Sequence, residues 1–320
     1  MMNGHASSFA TTQSSTRDTA LAPVVVFAYA RADHLQRTIE SLLANPEAAN
    51  TDVIFFCDAA KQPAHEPKVD AVRTYVDGVQ GFRCVRRVYR ESNYGLARSV
   101  IEGVTQVLAE HDHVIVLEDD LLVSPHFLRY MNNALARYES EPRVASIHGY
   151  CYPVGEPLPQ TFFLEGADCW GWATWSRAWA HFEPDGAKLL EQLRARKLTR
   201  AFDLDGQYPY TQMLQDQVAG RNSSWAIRWH AACFLKGLLT LYPGHSLVEN
   251  IGNDASGTHC ESTDRFSQAL ASAPVDVFAA TAVEPSRAGR DAFVRFFRAQ
   301  NPPWLRARRW LSRVRHGSLA

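Results

Sequence analysis

Three carboxylates in a row, Glu118, Asp119 and Asp120, end the apolar run at 114–117. Adjacent carboxylates repel one another, and holding them beside a core is costly unless a cation or a set of donors compensates. A hard divalent cation, Mn2+ or Mg2+, suits such a trio, because it prefers carboxylate and water oxygens and is commonly held by one or two carboxylates plus the phosphates of its substrate. Bridging a diphosphate, it would neutralise the charge that develops on a leaving group. The plainer alternative is that one carboxylate caps the following helix while the others face water.

The elements that position these acids are readable from periodicity. A β-branched and aromatic run at 24–29 predicts a strand, and Leu35, Ile39, Leu42 and Leu43 predict a helix after it, with Asp33 as N-cap. A second strand, "TDVIFFCDAA", stops at Asp58, and "RCVRRVYRES" is a third. A helix opens at Gly95 with Leu96, Val100, Val104, Val107 and Leu108 on one face. The fourth strand, "HVIVLEDD", precedes a helix capped by Ser124 and Pro125, whose Phe127, Met131 and Leu135 recur every four residues. Such alternation predicts an α/β fold with a mostly parallel sheet covered on both faces. Ligands bind outside the carboxyl ends of strands in such sheets. Asp58 and the acidic trio therefore share one rim.

After residue 150 the alternation fades. The stretch "ADCWGWATWSRAWAHFEP" holds four of the eight tryptophans, "KLLEQLRARKLTRAF" reads as a charged helix, and "LLTLYP" as a strand. An indole can cover the apolar face of a sugar ring while its N–H donates a hydrogen bond. Trp170 and Trp172 are favoured for this because Gly171 permits close backbone approach. Large aromatics equally form core.

With 46% hydrophobic and 21% charged residues the chain is globular, and no apolar run reaches the roughly 20 residues of a membrane-spanning helix. We expect a Ser/Thr-rich disordered leader at 1–20, one domain at 21–285 with halves at 21–150 and 151–285, and a basic tail at 286–320. The six cysteines are widely spaced, which favours reduced thiols and a cytoplasmic location. Net charge is −1, yet residues 287–320 carry nine arginines against one aspartate, interleaved with Phe, Trp and Leu. That pattern suits an amphipathic element on an anionic membrane surface, peripheral to the inner face of the plasma membrane; the alternative is a helix packing its aromatics on the body. Nucleic acid is excluded as a partner by the acidic body.

The segment "VIVLEDDLLVSPHFLRYM" resembles the acidic motif of nucleotide-sugar-dependent glycosyltransferases with the GT-A fold, in the Glu-Asp-Asp version of the N-acetylglucosaminyltransferase I family. "VVVFAYARADHLQRTIESL" is similar to that family's first strand and helix, "FFCDAA" to the strand whose Asp meets uracil, and "NYGLARSVIEGV" to the loop and helix facing ribose and diphosphate. The resemblance implies Asp120 as metal ligand, with Glu118 and Asp119 toward ribose and sugar. It also implies Tyr29, Arg31, Asp58, Asn93 and Arg98 as donor contacts, with a UDP-sugar favoured. The second half resembles bacterial glycosyltransferase-like proteins carrying "WGWATW", "SWAIRW" and "GSGTHC", the last present as "ASGTHC". Trp225, in the second of these motifs, joins Trp170 and Trp172 as an acceptor contact, and His259, in the third, is a candidate for the metal or the diphosphate.

The implied activity is metal-dependent, inverting transfer of a hexosyl or N-acetylhexosaminyl group to a hydroxyl of a glycan, a lipid-linked oligosaccharide or a protein, in bacterial surface polysaccharide synthesis. Inversion needs a carboxylate to take the acceptor's proton. Where the resembled families place it, this chain has Ser223 and Ser224, so Asp216 and Asp168 are the candidates. A donor-binding subunit with impaired catalysis, partnering an active transferase, is the alternative. A nucleotidyltransferase fits less well, because "AYARADHLQ" has no glycine with which to cradle phosphate.

Overall fold

The computed structural model describes residues 21–252, 265–278 and 282–300. Strand β1 (Val24–Ala28) is buried throughout, because it lies between two parallel neighbours: β2 (Asp52–Cys57), where Val24 faces Val53, and β4 (His113–Glu118), where Val24 faces Ile115. Strand β3 (Cys84–Tyr89) extends the parallel set beyond β2 and forms an edge. Arginines guard that edge: Arg83, just before β3, pairs with Asp52 at 2.6 Å and Arg86, within it, with Glu110 at 2.7 Å.

Helix α1 (Ala32–Leu43) buries Leu35, Thr38, Ile39 and Leu42, while Leu43 stays exposed. Its N-cap is Arg31 rather than Asp33, which sits in the first turn where its charge suits the helix dipole. Helix α2 (Glu66–Gly78) covers β2, and α3 (Gly95–Leu108) packs Val100, Val104 and Val107 inward and leaves Leu96 exposed. The three-residue strand β5 (Leu121–Val123) was not visible to periodicity. The N-cap of α4 (Phe127–Arg137) is His126 rather than Ser124, whose hydroxyl oxygen accepts from the His126 amide at 3.2 Å while its O–H donates to the carbonyl of Ala271 at 2.7 Å and so ties down a distant segment.

The second half continues the same sheet. Strands β6 (Val144–His148), β7 (Thr161–Glu165), β8 (Trp172–Trp175) and β9 (Leu239–Pro243) complete the order β3-β2-β1-β4-β8-β6-β9-β7. Only β7 and β8 run against the rest, so the sheet is mostly parallel and flanked by helices. A small antiparallel ribbon pairs β10 (Val248–Asn250) with β5. Trp175 ends a strand while Trp179 lies on α5 (Ser176–Trp179). The charged stretch expected as one helix is α6 (Gly186–Ala195) and the short α7 (Thr199–Phe202), split where Lys197 takes a φ of +55°. Helices α8 (Tyr210–Val218) and α9 (Trp225–Leu235) follow; Ser224 caps α9, accepting from the amide of Ile227.

The expected boundary at 285/286 meets α10 (Arg287–Gln300), which packs on the body. Its Phe293 and Phe297 are buried among Tyr152, Phe162 and Tyr242, and Arg290 and Arg295 pair with Asp205 and Glu156 at 2.8 Å. This is the packing alternative drawn from the sequence, and these aromatics are not available to lipid. The leader at 1–20 and the tail at 301–320 lie outside the described residues. The five described cysteines are free thiols, and no helix of the described residues is long and apolar enough to cross a membrane.

Candidate functional site

Strands β1, β2 and β4 run parallel and deliver Tyr29 and Arg31, Asp58, and Glu118 to Asp120 to one rim. There a single nitrogen of Arg31, Nη2, contacts Asp119 Oδ1 and lies 2.8 Å from Asp120 Oδ2. The positive charge that the acidic trio demands is thus supplied from the start of α1. The arrangement is fixed from several sides. Asp119 Oδ2 accepts from the Tyr29 amide at 3.2 Å, Thr38 donates to the Asp119 carbonyl at 3.0 Å, and the Ile251 amide donates to the Asp120 carbonyl at 2.9 Å. At Gly252 a Cβ would strike Asp120 Oδ2 and crowd Arg31, so only glycine lets the chain pass this close.

Electrostatics follow from burial. Desolvation alone would lower the pKa of Arg31, but Asp119 and Asp120 outweigh it and hold the guanidinium above its ordinary value. Asp119 is raised by its burial, against the pull of Arg31, and Glu118 is raised by burial and then by Asp120 and Asp119. The residues fit a hard divalent cation: two carboxylates already converge on one positive centre, leaving further ligand positions to a substrate's phosphates. Among the described residues no group of three or more His, Cys, Asp or Glu is placed to hold a metal ion. His259 lies outside the described residues.

Asp58 does something the sequence did not reveal. Its two oxygens accept from the amides of Ala59, Tyr94 and Gly95 and from Asn93 Nδ2, at 2.8 to 3.0 Å. A carboxylate has about four acceptor positions, and four donors fill them. Asp58 therefore anchors the N-terminus of α3 to the end of β2. Tyr29 turns its hydroxyl to His65 Nδ1 at 2.6 Å and accepts from the Lys61 amide, bracing the next loop. Arg98 is exposed, paired with Glu102 at 2.6 Å and stacked 3.7 Å over the Tyr94 ring.

The tryptophans divide. Trp172 and Trp225 are buried in the core, stacked on each other at 5.3 Å, with Trp179 and Trp229 around Trp172. Their ring faces meet other rings rather than open space. Trp170 is half-buried, edge-on to Tyr150 and Phe266. Because Trp172 pairs antiparallel with Val116, the residues preceding Trp172 run beside the acidic end of β4. The Cys169 thiol registers this proximity: its pKa is raised by burial and further by Glu118, Asp168 and Asp120.

Asp168, in the same segment, accepts from Tyr242 at 2.9 Å and Tyr210 at 3.3 Å, and His230 Nδ1 is 3.9 Å away. His148 accepts from the Trp170 amide at 3.1 Å, and burial pushes its pKa down to about 4 despite Asp168. Sequence reasoning missed Tyr242, Tyr210 and His148; the signal for two of them was that "LTLYP" and "VASIHGY" are strands ending at this rim. Asp216 is held on α8 by Arg221 at 2.5 Å and Gln212 at 2.9 Å. Two clefts of about 240 and 340 Å³, one beside α6 and one between α1 and α2, involve none of the rim residues.

Residues 22–147 match the sequence profile of a family described as glycosyltransferase like family 2, which covers the four parallel strands and the acidic rim but less than half of the chain. No curated protein matches the chain. Among solved structures, a similarity is found to the mannosyltransferase PcManGT from Pyrobaculum calidifontis in complex with GDP-Man and Mn2+, at 14% identity and a TM-score of 0.32, over 43% of this chain and 38% of that one. Residues 1–349 of TarS from S. aureus give 10% identity and a TM-score of 0.40, over 71% of this chain and 59% of that one. The chain thus spans less than two thirds of either.

Proposed function

We propose that the chain is a glycosyltransferase that moves a sugar from a nucleoside diphosphate sugar to an acceptor hydroxyl, with inversion and with Mn2+ or Mg2+. The observation that carries this reading is the convergence of Asp119 and Asp120 on one positive centre at the rim, inside the segment that matches a glycosyltransferase family. The acceptor is a hydroxyl of a glycan, a lipid-linked oligosaccharide or a protein in surface polysaccharide synthesis, and a hexosyl or N-acetylhexosaminyl group is the cargo. UDP-sugars are the first donors to assay, although the filled acceptor positions of Asp58 mean that another group reads the base.

Asp119 and Asp120 would hold the cation, which supplies charge neutralisation to the departing diphosphate. Arg31 adds a second positive charge beside it, and Arg98 reaches the outer phosphate from the first turn of α3. Asp168 takes the acceptor's proton: the acceptor oxygen bonds to the anomeric carbon, the bond from that carbon to the diphosphate breaks, and the nucleoside diphosphate leaves. Asp168 is preferred to Asp216 because it borders the acidic rim and its phenol partners hold it without a counter-charge, whereas Asp216 is ion-paired to Arg221. Ser224 caps α9 and is not needed as a base. Trp170, the half-buried member of the cluster, offers an edge to the acceptor sugar.

Thermal shift against UDP-, GDP- and dTDP-sugars, each with and without Mn2+, tests the donor site, since a ligand of the folded state raises the melting temperature with its affinity. A donor-specific, metal-enhanced shift followed by release of nucleoside diphosphate is expected. No shift with any donor would overturn the reading; hydrolysis without transfer to any hydroxyl would favour the donor-binding subunit instead.

A further inference from the structure

We infer that Arg31 is the resting counter-ion of the Asp119–Asp120 pair, and that it must leave the pair for the donor's diphosphate before the pair can hold a divalent cation; the inference rests on the donor-site reading above. One nitrogen, Nη2, occupies the point where oxygens of both carboxylates converge. A cation bound to those oxygens at about 2.1 Å would stand where the guanidinium now stands. The two cannot share the place, because both are positive and Nη2 already contacts both carboxylates.

The guanidinium cannot yield by losing its proton, since arginine stays charged in proteins. It can yield only by moving. Its side chain is 22% exposed and springs from the first residue before α1, so it has open space on the rim side. Its planar fork of donors matches a second anion with oxygens in a row, and a diphosphate is one. Removing Arg31 without a replacement would leave two buried carboxylates facing each other. Cation and donor are therefore expected to arrive together. The donor draws Arg31 off the acids, the cation replaces it there, and each tightens the other's binding by the same factor.

The test is Mn2+ binding measured directly, by electron paramagnetic resonance of free Mn2+ or by calorimetry, on the full chain with and without UDP and GDP. Wild type should bind Mn2+ weakly alone and about tenfold or more tightly with the nucleotide. Arg31→Gln should bind Mn2+ alone about tenfold more tightly than wild type and lose most of the coupling. Its melting temperature should be low without metal and rise further on adding Mn2+ than that of wild type. Should Arg31→Gln fail to fold, Arg31→Lys serves: it keeps one charge but loses the fork, and should show Mn2+ affinity above wild type with reduced coupling. Equal or weaker Mn2+ binding by the variant that folds would overturn the inference and make Arg31 a fixed support. Donor binding with no Mn2+ binding in either protein would also overturn it while leaving the donor reading intact; absence of both donor and Mn2+ binding would remove the donor reading itself.

Discussion

Asp119 and Asp120 face a guanidinium that touches both, whereas Asp168, in the segment running alongside, is held by two neutral phenols, Tyr242 and Tyr210. The first arrangement cancels charge and the second only orients it. A carboxylate paired with Arg31 would lose an ion pair on taking a proton, although burial raises the pKa of Asp119. A carboxylate that accepts from phenols is oriented by neutral hydroxyls instead of by a guanidinium. On the proposed function, the contrast separates two tasks at one rim, neutralising a leaving group and receiving a proton.

The largest effect expected from breaking the contrast is on Asp168. Asp168→Asn keeps the hydrogen bonds' shape but removes the proton acceptor, and should lower kcat by about a thousandfold with donor affinity unchanged. Asp216→Asn should leave kcat within about twofold; the reverse pattern in steady-state assays would move the base to α8. Asp120→Asn removes half of the charge-cancelling pair and should cost a few hundredfold in kcat while also weakening donor binding, so the two clusters differ in whether the donor's affinity changes.

A pH dependence sharpens the comparison further. His148 is buried beside Asp168 with its pKa down at about 4, against 6.5 when unfolded. Between those values the unfolded chain binds a proton that the folded chain refuses, so stability falls as pH drops from 6.5 toward 4, by up to about 3 kcal/mol. His230, also lowered by burial, acts in the same direction. Urea midpoints followed from pH 7 to 4.5 should fall more steeply for wild type than for His148→Gln; identical slopes would show that the second cluster does not resist protonation. A smaller effect is expected at the anchor of α3, where Asp58→Ala strands four donors and should cost about 2 kcal/mol in denaturant unfolding, with the preference among UDP-, GDP- and dTDP-sugars unchanged. A lost uridine preference would instead make Asp58 a reader of the base.

Much of the first half was legible in the sequence. The strands at 24–28, 52–57 and 113–118 are nearly unbroken apolar runs because both of their faces are covered, and their acidic ends fall on one rim because parallel strands share a direction. The cap positions fell two residues off, at Arg31 rather than Asp33 and at His126 rather than Ser124, and the sequence carries no sign that the Ser124 hydroxyl serves both the His126 amide and the Ala271 carbonyl. The second half was harder. Strand β8 is four residues long, too short for period two to distinguish its direction or its neighbours. The Arg-aromatic pattern of α10 reads alike for a lipid surface and for a protein surface, and Phe293 and Phe297 chose the latter.

Local pattern settled which segments form strands and helices, and therefore which charged residues stand at their ends, because backbone periodicity and side-chain type act over a few neighbouring positions. Which charge answers which was left to tertiary structure. Arg31 meets Asp119 across 88 positions of chain and Tyr242 meets Asp168 across 74, and a hydrogen bond is decided by tenths of an ångström that only the packed sheet can set.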